Sequence, residues 1–222
     1  MGSGRSALVL GATGLVGGHV LDLLLGDPAW GHVAALVRRP TGRTHAKLAE
    51  RLADFERLDD AGDAFAVDDV FCCLGTTIRV AGSQAAFRRV DHDYVVAAAR
   101  RAADAGARQF LLVTAMGADA GSRIFYNRVK GETERAVRAL PFRRVVLARP
   151  SLLLGERGER RAGEEAGKAV MGALGALMVG PLRKYRAIHG RDVARALVRL
   201  AGEAEPGTRV AESDELTRLA AA

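Results

Sequence analysis

The sequence predicts an α/β fold in which a doubly wound, mostly parallel sheet carries helices on both faces. Short apolar segments alternate along the chain with longer segments of helical periodicity, which is typical of parallel strands joined by helices. Residues 67–74 lack the alternation of a half-exposed strand, so we expect a strand buried on both faces. A chain of 222 residues with 49% hydrophobic residues suits one globular domain with a sizeable core.

The individual elements follow from the hydrophobic pattern in chain order. Strands are expected, the third of them only weakly, at residues 6–10, 32–37, 48–55, 67–74, 110–114 and 144–148. Helices are expected at residues 15–25, 83–105 and 124–140. Gly106 is typical of the residue that follows a helix, and Pro141 cannot continue one, so both mark helix ends.

After Pro150 the pattern is less regular, and residues 151–222 are expected to form a small C-terminal extension of the same domain. Residues 168–179 are apolar and rich in small side chains, which predicts a helix. A last strand is expected at residues 185–188. Asp192 is the expected N-cap of a helix at residues 193–201.

The composition narrows the range of partners. The formal net charge is +7, but lysine occurs only four times among the 33 basic residues, so arginine supplies the other 29. These residues are scattered and only 5% of the chain is aromatic, so nucleic-acid binding is not favoured. No segment has the roughly 18 apolar residues needed to span a bilayer, so no transmembrane segment is expected.

The two cysteines, Cys72 and Cys73, are adjacent and lie within an apolar segment. Adjacent cysteines rarely bond to each other, so we expect reduced core residues and a cytoplasmic protein. Cysteine and histidine do not recur at the spacing of zinc ligands, so no metal site is expected.

Three glycines mark the junction between the first strand and the first helix, at Gly11, Gly14 and Gly17. Glycine is needed where a chain turns sharply and where backbone approaches a phosphate, and N–H groups at a helix start bind the anion. The spacing therefore predicts a site for the pyrophosphate of a dinucleotide, formed by Gly11, Thr13, Gly14, Leu15, Val16 and Gly17. An ordinary strand–helix turn in a glycine-rich protein is the alternative interpretation.

The end of the second strand is where an acidic residue would hold the ribose of NAD. The chain has Arg38 and Arg39 there and no carboxylate. A guanidinium suits a 2′-phosphate, by bidentate pairing and by stacking on adenine. NADP(H) is therefore the expected cofactor, and NAD(H) is less favoured. Asp54 and Phe55 end the third strand, where they either contact the adenine or form a plain surface turn.

Tyr126 and Lys130 are four residues apart in the helix predicted at residues 124–140, so they share one helix face. A tyrosine ordinarily titrates near about 10, and a nearby ammonium together with an oxidised nicotinamide favours the phenolate. The pair suits proton transfer with a substrate oxygen while a hydride moves at the nicotinamide. A surface tyrosine beside a solvated lysine is the alternative interpretation.

Six segments together resemble the short-chain dehydrogenase/reductase superfamily, and within it the atypical branch of Tat-interacting-protein-like oxidoreductases. They are residues 54–60, 71–77 (Phe-Cys-Cys-Leu-Gly-Thr-Thr, the most specific), 90–95, 117–119, 126–132 and 149–150. The resemblance spans residues 7–202 and implies a Rossmann-like fold that binds NADP(H). It also implies that the cofactor lies along Leu74, Gly75, Thr76 and Thr77, with the nicotinamide near Pro150, Ser151 and Leu152.

Two positions depart from the pattern of that superfamily. A serine usually follows the fifth strand and orients the substrate carbonyl. Here Thr114 supplies the hydroxyl instead, or Ala115 occupies the place of the serine. An asparagine that often serves a proton relay is also missing from the long helix, where Asp91 and Asp93 are found.

The sequence therefore predicts an NADP(H)-dependent oxidoreductase that acts on a small carbonyl or alcohol. Tyr126 is the expected acid/base, Lys130 its electrostatic partner and ribose anchor, and Thr114 the orienting residue. The C-terminal extension would form the substrate side, with the helix at residues 168–179 shaping an apolar pocket. A non-catalytic NADP(H)-binding regulatory or redox-sensing protein is the alternative. A sugar-nucleotide epimerase is less favoured, and both a monomer and a homodimer remain compatible.

Overall fold

The computed structural model describes residues 4–155 and 185–222. A seven-stranded sheet has the order β3-β2-β1-β4-β5-β6-β9 and is parallel at every pairing, which confirms the predicted fold class. Its strands are β1 Arg5–Leu10, β2 Trp30–Val37, β3 Leu48–Leu52, β4 Asp69–Cys72, β5 Gln109–Val113, β6 Arg144–Arg149 and β9 Gly207–Glu212. A separate parallel pair joins β7 Leu153–Leu154 to β8 Ile188–His189.

Helices cover both faces of the sheet. They are α1 Leu15–Gly26, α2 Ile78–Ala81, α3 Gln84–Arg88, α4 Tyr94–Asp104, α5 Phe125–Arg138, α6 Gly190–Ala201 and α7 Ser213–Ala221. A 3-10 segment spans Leu58–Phe65, and a π-helical turn, Arg89–Asp93, joins α3 to α4. Buried side chains of α1, α6 and α7 form the core on one face. Those of α4, α5 and the 3-10 segment form the core on the other face.

Strand β2 shows how one strand serves both cores. Successive side chains of a strand point to opposite faces of the sheet. Val33 and Val37 accordingly belong to the core of α1 and α6, while Ala34 and Leu36 belong to the core of α4 and the 3-10 segment. Fully burying a leucine or valine contributes about 1.5–3 kcal/mol, so the apolar sequence of such strands follows from their coverage on both faces.

The strand order reverses between β1 and β4. The chain proceeds from β1 outward to β2 and β3, and β4 then returns to the other side of β1. Leu10 lies opposite Cys72, and the N–H of Cys73 donates to the Leu10 carbonyl at 2.9 Å. Open parallel sheets bind ligands outside the carboxyl ends of their strands at such a reversal. The residues that follow Leu10 and Cys72 therefore line the expected crevice.

Several elements before residue 106 differ from the prediction. β4 is shorter than the strand expected at residues 67–74, and the 3-10 segment and α2 were not expected. β3 ends at Leu52, not at residue 55, because the chain turns there and buries Phe55 in the core. The helix expected at residues 83–105 is interrupted by the π-helical turn. Turns of this kind are rare and often occur at functional sites.

The C-terminal part differs more from the prediction. β9 was not expected, because its segment is polar and its first three residues are exposed at the sheet edge. The strand expected at residues 185–188 is reduced to the two residues of β8. α6 begins at Gly190 with His189 as N-cap, so the expected N-cap was wrong, and Asp192 lies in the first turn. The helix predicted at residues 168–179 lies outside the described residues.

Within the described part of the chain, none of the helices is long and apolar enough to cross a membrane. The same residues contain no group of three or more His, Cys, Asp or Glu side chains placed to hold a metal ion. Cys72 and Cys73 carry free thiols. Burial raises the pKa of Cys72 to about 12, so this side chain remains a neutral thiol at ordinary pH.

Candidate cofactor and proton-transfer site

The glycine turn, residues 11–17, connects β1 to α1, and two of its glycines have no room for a side chain. Gly11 has a φ of +80°, and a Cβ there would lie 2.6 Å from the Cys73 carbonyl oxygen. A Cβ on Gly17 would overlap the Gly11 carbonyl oxygen and lie 2.7 Å from its carbonyl carbon. A Cβ on Gly14 would lie 3.1 Å from the same oxygen. Backbone contacts therefore close the turn at Gly11 and Gly17, and Gly14 is the least constrained of the three.

The start of α1 presents backbone N–H groups to the crevice. Its N-cap residue, Gly14, provides no side-chain acceptor, and the first helical bond runs from Gly18 N–H to the Gly14 carbonyl at 2.9 Å. Among the described residues, no acceptor pairs with the N–H groups of Leu15, Val16 and Gly17. Such groups, together with the positive end of the helix dipole, bind phosphate. The backbone here suits the predicted pyrophosphate site.

The side chains of Leu15 and Val16 have packing roles. Val16 is buried in the core. Leu15 occupies space that two glycines leave open, because a Cβ on Gly155 would lie 2.5 Å from its Cδ1 and one on Gly190 would lie 2.6 Å from its Cγ. Leu15 thus joins the glycine turn to the segment after β7 and to the start of α6.

A cleft of about 430 Å³ lies beside the glycine turn. One wall comprises Ala12, Thr13, Gly14 and Gly18, and the other comprises Arg39, Pro40, Thr41 and Arg43. Arg38 is exposed but does not line this cleft. Of the two arginines predicted to bind a 2′-phosphate, the structure therefore brings only Arg39 to the cleft, and it adds Arg43, which the sequence prediction missed.

The segment after β4 lies between the glycine turn and α5. A Cβ on Gly11 would lie 3.0 Å from the Leu74 nitrogen. A Cβ on Gly75 would lie 3.3 Å from Asp91 Oδ1 and 3.7 Å from Lys130 Nζ. Leu74 and Gly75 therefore connect the expected pyrophosphate site with the lysine of the expected proton-transfer site.

Tyr126 and Lys130 both lie on α5, as the spacing predicted. The ring of Tyr126 packs against that of Phe87, with centroids 5.3 Å apart. Lys130 is buried, and its Nζ lies 2.7 Å from Asp91 Oδ1. Burial alone would lower the pKa of Lys130, but the Asp91 carboxylate and the oxygen of Tyr126 outweigh it and raise that pKa. Lys130 therefore remains an ammonium ion beside the tyrosine.

Asp91 connects three parts of the crevice. It lies in the π-helical turn with only 1% of its surface exposed. Besides its ion pair with Lys130, its Oδ2 accepts from the Thr76 N–H at 2.9 Å. Its backbone carbonyl accepts from the Thr133 hydroxyl at 2.9 Å. A single carboxylate thus fixes the lysine of α5 and the segment after β4 relative to each other.

The Thr114 hydroxyl is hydrogen-bonded to a buried charged residue. This buried hydroxyl donates to Glu134 Oε1 at 2.7 Å. Glu134 also accepts two hydrogen bonds from Arg149, from Nε at 2.9 Å and from Nη2 at 2.6 Å. The Thr114 hydroxyl is therefore already engaged, which does not support its expected orienting role. The neighbouring residue, Ala115, is half-buried.

The residues expected near the nicotinamide follow β6. The carbonyl of Pro150 accepts from the Met116 N–H at 2.9 Å. The Ser151 hydroxyl contacts the Arg186 carbonyl and lies 2.9 Å from the Ser213 hydroxyl, so it is already engaged. Leu152 exposes 53% of its surface. Leu152 is therefore the member of this group whose side chain is free to meet a ligand.

The side chains of Asp54, Phe55 and Thr77, which were also predicted to contact the cofactor, make structural contacts instead. Asp54 accepts from the Glu56 N–H at 3.0 Å in a turn. Phe55 is buried, with its ring 5.9 Å from that of Tyr94. These contacts favour the plain turn over the adenine contact. Thr77 caps α2 by accepting from the Val80 N–H at 3.2 Å.

The chain belongs to a family described as NAD(P)H-binding, whose sequence profile matches residues 11–204. It is 39% identical to Protein HTATIP2 of Rattus norvegicus over 174 residues, which cover 77% of this chain and 72% of that protein. It is 35% identical to Protein FMP52, mitochondrial, of Eremothecium gossypii over 222 residues, which cover 96% of each. These findings confirm the family resemblance that the six sequence segments indicated.

Solved structures confirm the Rossmann-like fold. MoeE5 in complex with UDP-glucose and NAD has a TM-score of 0.69 at 18% identity, covering 98% of this chain and 81% of that chain. UDP-glucose 4-epimerase from Thermotoga maritima with UDP-glucose has a TM-score of 0.67 at 16% identity, covering 97% of this chain and 81% of that chain. At these identities the likeness concerns the fold alone.

Most of the charged residues that pair around Lys130 and Thr114 were not predicted from the sequence. Glu134 lies four residues after Lys130, so helical spacing signals its place on the same face of α5. Its partner Arg149 was noted only as part of a motif. Asp91 was noted only as a replacement for asparagine, because its pairing with Lys130 spans 39 positions of the chain and leaves no local signal.

Proposed function

We propose that this protein is an NADP(H)-dependent oxidoreductase of the short-chain type, which interconverts a small carbonyl compound and its alcohol. The observation that carries this proposal is the buried ion pair of Lys130 and Asp91, on the face of α5 that also presents Tyr126. A buried ammonium one helical turn from a tyrosine is a suitable device for proton transfer.

The cofactor would be held by three features along the crevice. The N–H groups at the start of α1 would bind the pyrophosphate, and Arg39 would contact the 2′-phosphate in the cleft. The segment of Leu74 to Thr77 would lie along the rest of the cofactor. When bound, the nicotinamide supplies or accepts the hydride.

Tyr126 would exchange the proton with the substrate oxygen. In the reducing direction its hydroxyl donates the proton, and in the oxidising direction its oxygen accepts one. The ammonium of Lys130 stabilises the phenolate form. An ammonium has three donors, so the pairing with Asp91 leaves donors for Tyr126 and for the cofactor ribose. Packing against Phe87 fixes the direction of the tyrosine ring.

A second function, a non-catalytic NADP(H)-binding regulatory or redox-sensing protein, is favoured by one observation. The hydroxyl of Thr114 is committed to Glu134, and Ala115 has no hydroxyl. A group that normally orients the carbonyl for reduction is thus missing at both positions. Cofactor binding does not require that group, whereas fast turnover does.

The two functions are separated by direct assay of the purified protein with NADPH and a panel of small aldehydes and ketones. The enzyme proposal expects NADPH to be consumed with formation of an equal amount of alcohol, and NADPH to bind more tightly than NADH. Tight NADPH binding without consumption by any carbonyl would favour the regulatory function. Failure to bind either nucleotide would overturn both.

A further inference from the structure

We propose that Arg43 is a second residue of cofactor specificity, which binds the 2′-phosphate of NADPH together with Arg39. This inference rests on the proposed NADP(H) function and adds to it a residue that no sequence motif selects. Arg43 lies in the loop between β2 and β3, beyond the pair of arginines that directly follow β2.

The first support is its place in the cleft. Arg39 and Arg43 form one wall, and Thr13 and Gly14 of the glycine turn form the opposite wall. A cofactor whose pyrophosphate lies on the N–H groups of α1 must extend its adenosine past the carboxyl ends of β1 and β2. The space between these two walls is that region, so a phosphate on the ribose meets both guanidinium groups.

The second support is that the loop is held in position by its own contacts. The Thr41 N–H donates to Glu50 at 3.0 Å, and its hydroxyl also contacts that carboxylate. The Arg43 N–H in turn donates to the Thr41 hydroxyl oxygen at 3.2 Å. The backbone that carries Arg43 is therefore fixed to β3, and only the guanidinium has to adjust to a ligand.

The third support is the set of donors that Arg43 leaves available. Its Nε lies 2.6 Å from Asp22 Oδ1 and its Nη2 lies 2.9 Å from Asp22 Oδ2. Nη2 also lies 3.5 Å from the Gly18 carbonyl. Among the described residues, no acceptor pairs with Nη1. A guanidinium has five donors, so the contact with Asp22 occupies one edge of the group and the Nη1 donors remain for a phosphate.

The ion pair with Asp22 does not compete strongly with such a ligand. The Asp22 side chain is 54% exposed and that of Arg43 is 32% exposed, and ion pairs in contact with water are weak. A phosphate carries more charge than a carboxylate and presents three acceptor oxygens. The hydroxyl at the same position of NADH is uncharged. Arg43 should therefore strengthen binding of NADPH and leave that of NADH nearly unchanged.

The test is a fluorescence titration of the full chain with NADPH and with NADH for the wild type and four variants. Arg43→Ala should weaken NADPH binding about ten- to one-hundred-fold, as expected for loss of a charge-assisted hydrogen bond, and change NADH binding less than about two-fold. Arg43→Lys, which keeps the charge but not the planar fork, should fall between the wild type and Arg43→Ala. Arg108→Ala controls for net charge, because Arg108 is exposed beside the opposite end of the sheet, and it should change neither affinity.

Asp22→Asn separates phosphate binding from loop anchoring. It removes the ion pair but keeps Arg43, so NADPH affinity should stay the same or rise, because a carboxylate near the phosphate is also lost. If Asp22→Asn weakens NADPH as much as Arg43→Ala does, or if Arg43→Ala weakens both nucleotides alike, Arg43 is only a loop anchor and the inference is overturned. If the wild type prefers NADPH but Arg43→Ala has no effect on NADPH binding, only the inference about Arg43 is overturned. A wild type without preference for NADPH overturns the NADP(H) proposal as well.

Discussion

The glycine turn and the face of α5 border the same crevice but present their functional groups in opposite ways. The glycine turn offers backbone N–H groups and lies beside an open cleft whose arginines contact water. The face of α5 carries Tyr126, Lys130 and Glu134, and the two charged side chains among them are buried and paired. In the proposed function, the first region would bind the cofactor through a backbone shape that requires glycine at Gly11 and Gly17. The second would act through charges that are buried away from water.

This difference determines how each region tolerates change. Replacing an exposed arginine should reduce the stability of the protein only slightly, because exposed ion pairs contribute only about 0–1 kcal/mol. Removing one partner of a buried ion pair costs about 3–5 kcal/mol, because the other charge is left uncompensated. Substitutions of the buried charges on α5 should therefore affect folding and function together, whereas substitutions of the arginines in the cleft should affect function alone.

The largest effect is expected at Gly17, where the glycine turn depends on shape as strictly as α5 depends on charge. Gly17→Val would force side-chain atoms into the Gly11 carbonyl and should lower the free energy of unfolding by about 5 kcal/mol or more, with complete loss of NADPH binding. Gly14→Val is the matched control, because its φ of −86° suits any residue. It should retain most of the stability, measured by urea denaturation, while NADPH binding is abolished. Normal binding by Gly14→Val would show that the turn is structural only.

The next largest effect is expected at the buried ion pair. Lys130→Met leaves the Asp91 carboxylate without its cation and should destabilise the fold by about 3–5 kcal/mol, with weaker NADPH binding. Because the pKa of Lys130 is raised, its contribution to stability is complete at neutral pH and is lost only as the pH rises through that raised value. Adding Asp91→Asn to Lys130→Met should recover much of the stability but not the NADPH affinity. Recovery of both would show that Lys130 has no contact with the cofactor.

A smaller effect on stability is expected at Thr114 and Ala115, the two residues that follow β5. Thr114→Val removes the hydrogen bond to Glu134 and should cost about 1.5–3 kcal/mol, as bonds to charged groups do, with NADPH affinity unchanged. Ala115→Ser, in contrast, should leave stability nearly unchanged, because Ala115 is only half-buried, and should raise turnover if the added hydroxyl orients the substrate carbonyl. If Thr114→Val loses more turnover than the decrease in its folded fraction explains, Thr114 is the orienting residue after all.

The sequence predicted the part of the fold that local patterns encode. The buried parallel strands and the glycine turn were recognised because apolar segments and glycine spacing depend on neighbours in the chain. β9 was missed because an exposed edge strand needs no apolar face. The π-helical turn was missed because its residues, Arg89–Asp93, keep the composition of an ordinary helix.

The candidate site likewise contains residues that local sequence predicted and residues that it did not. Tyr126 and Lys130 were predicted to lie together because helical spacing is local, and the structure places them so. The partners of the site were not predictable, because Asp91 reaches Lys130 and Arg43 reaches Asp22 through contacts between separate elements. Arg38 was predicted to bind the 2′-phosphate because it directly follows β2. Its position in the sequence does not determine the direction of its exposed side chain, which does not line the cleft.

The central claim, that Tyr126 transfers the proton, is tested most directly by single-turnover oxidation of NADPH in the wild type and in Tyr126→Phe. The variant keeps the ring that packs on Phe87 and removes only the hydroxyl, so its NADPH affinity should match the wild type. With a carbonyl substrate that the wild type reduces, the variant should be slower by about 10²–10⁴-fold. A variant that oxidises NADPH at the wild-type rate would contradict the claim and show that water or another group supplies the proton.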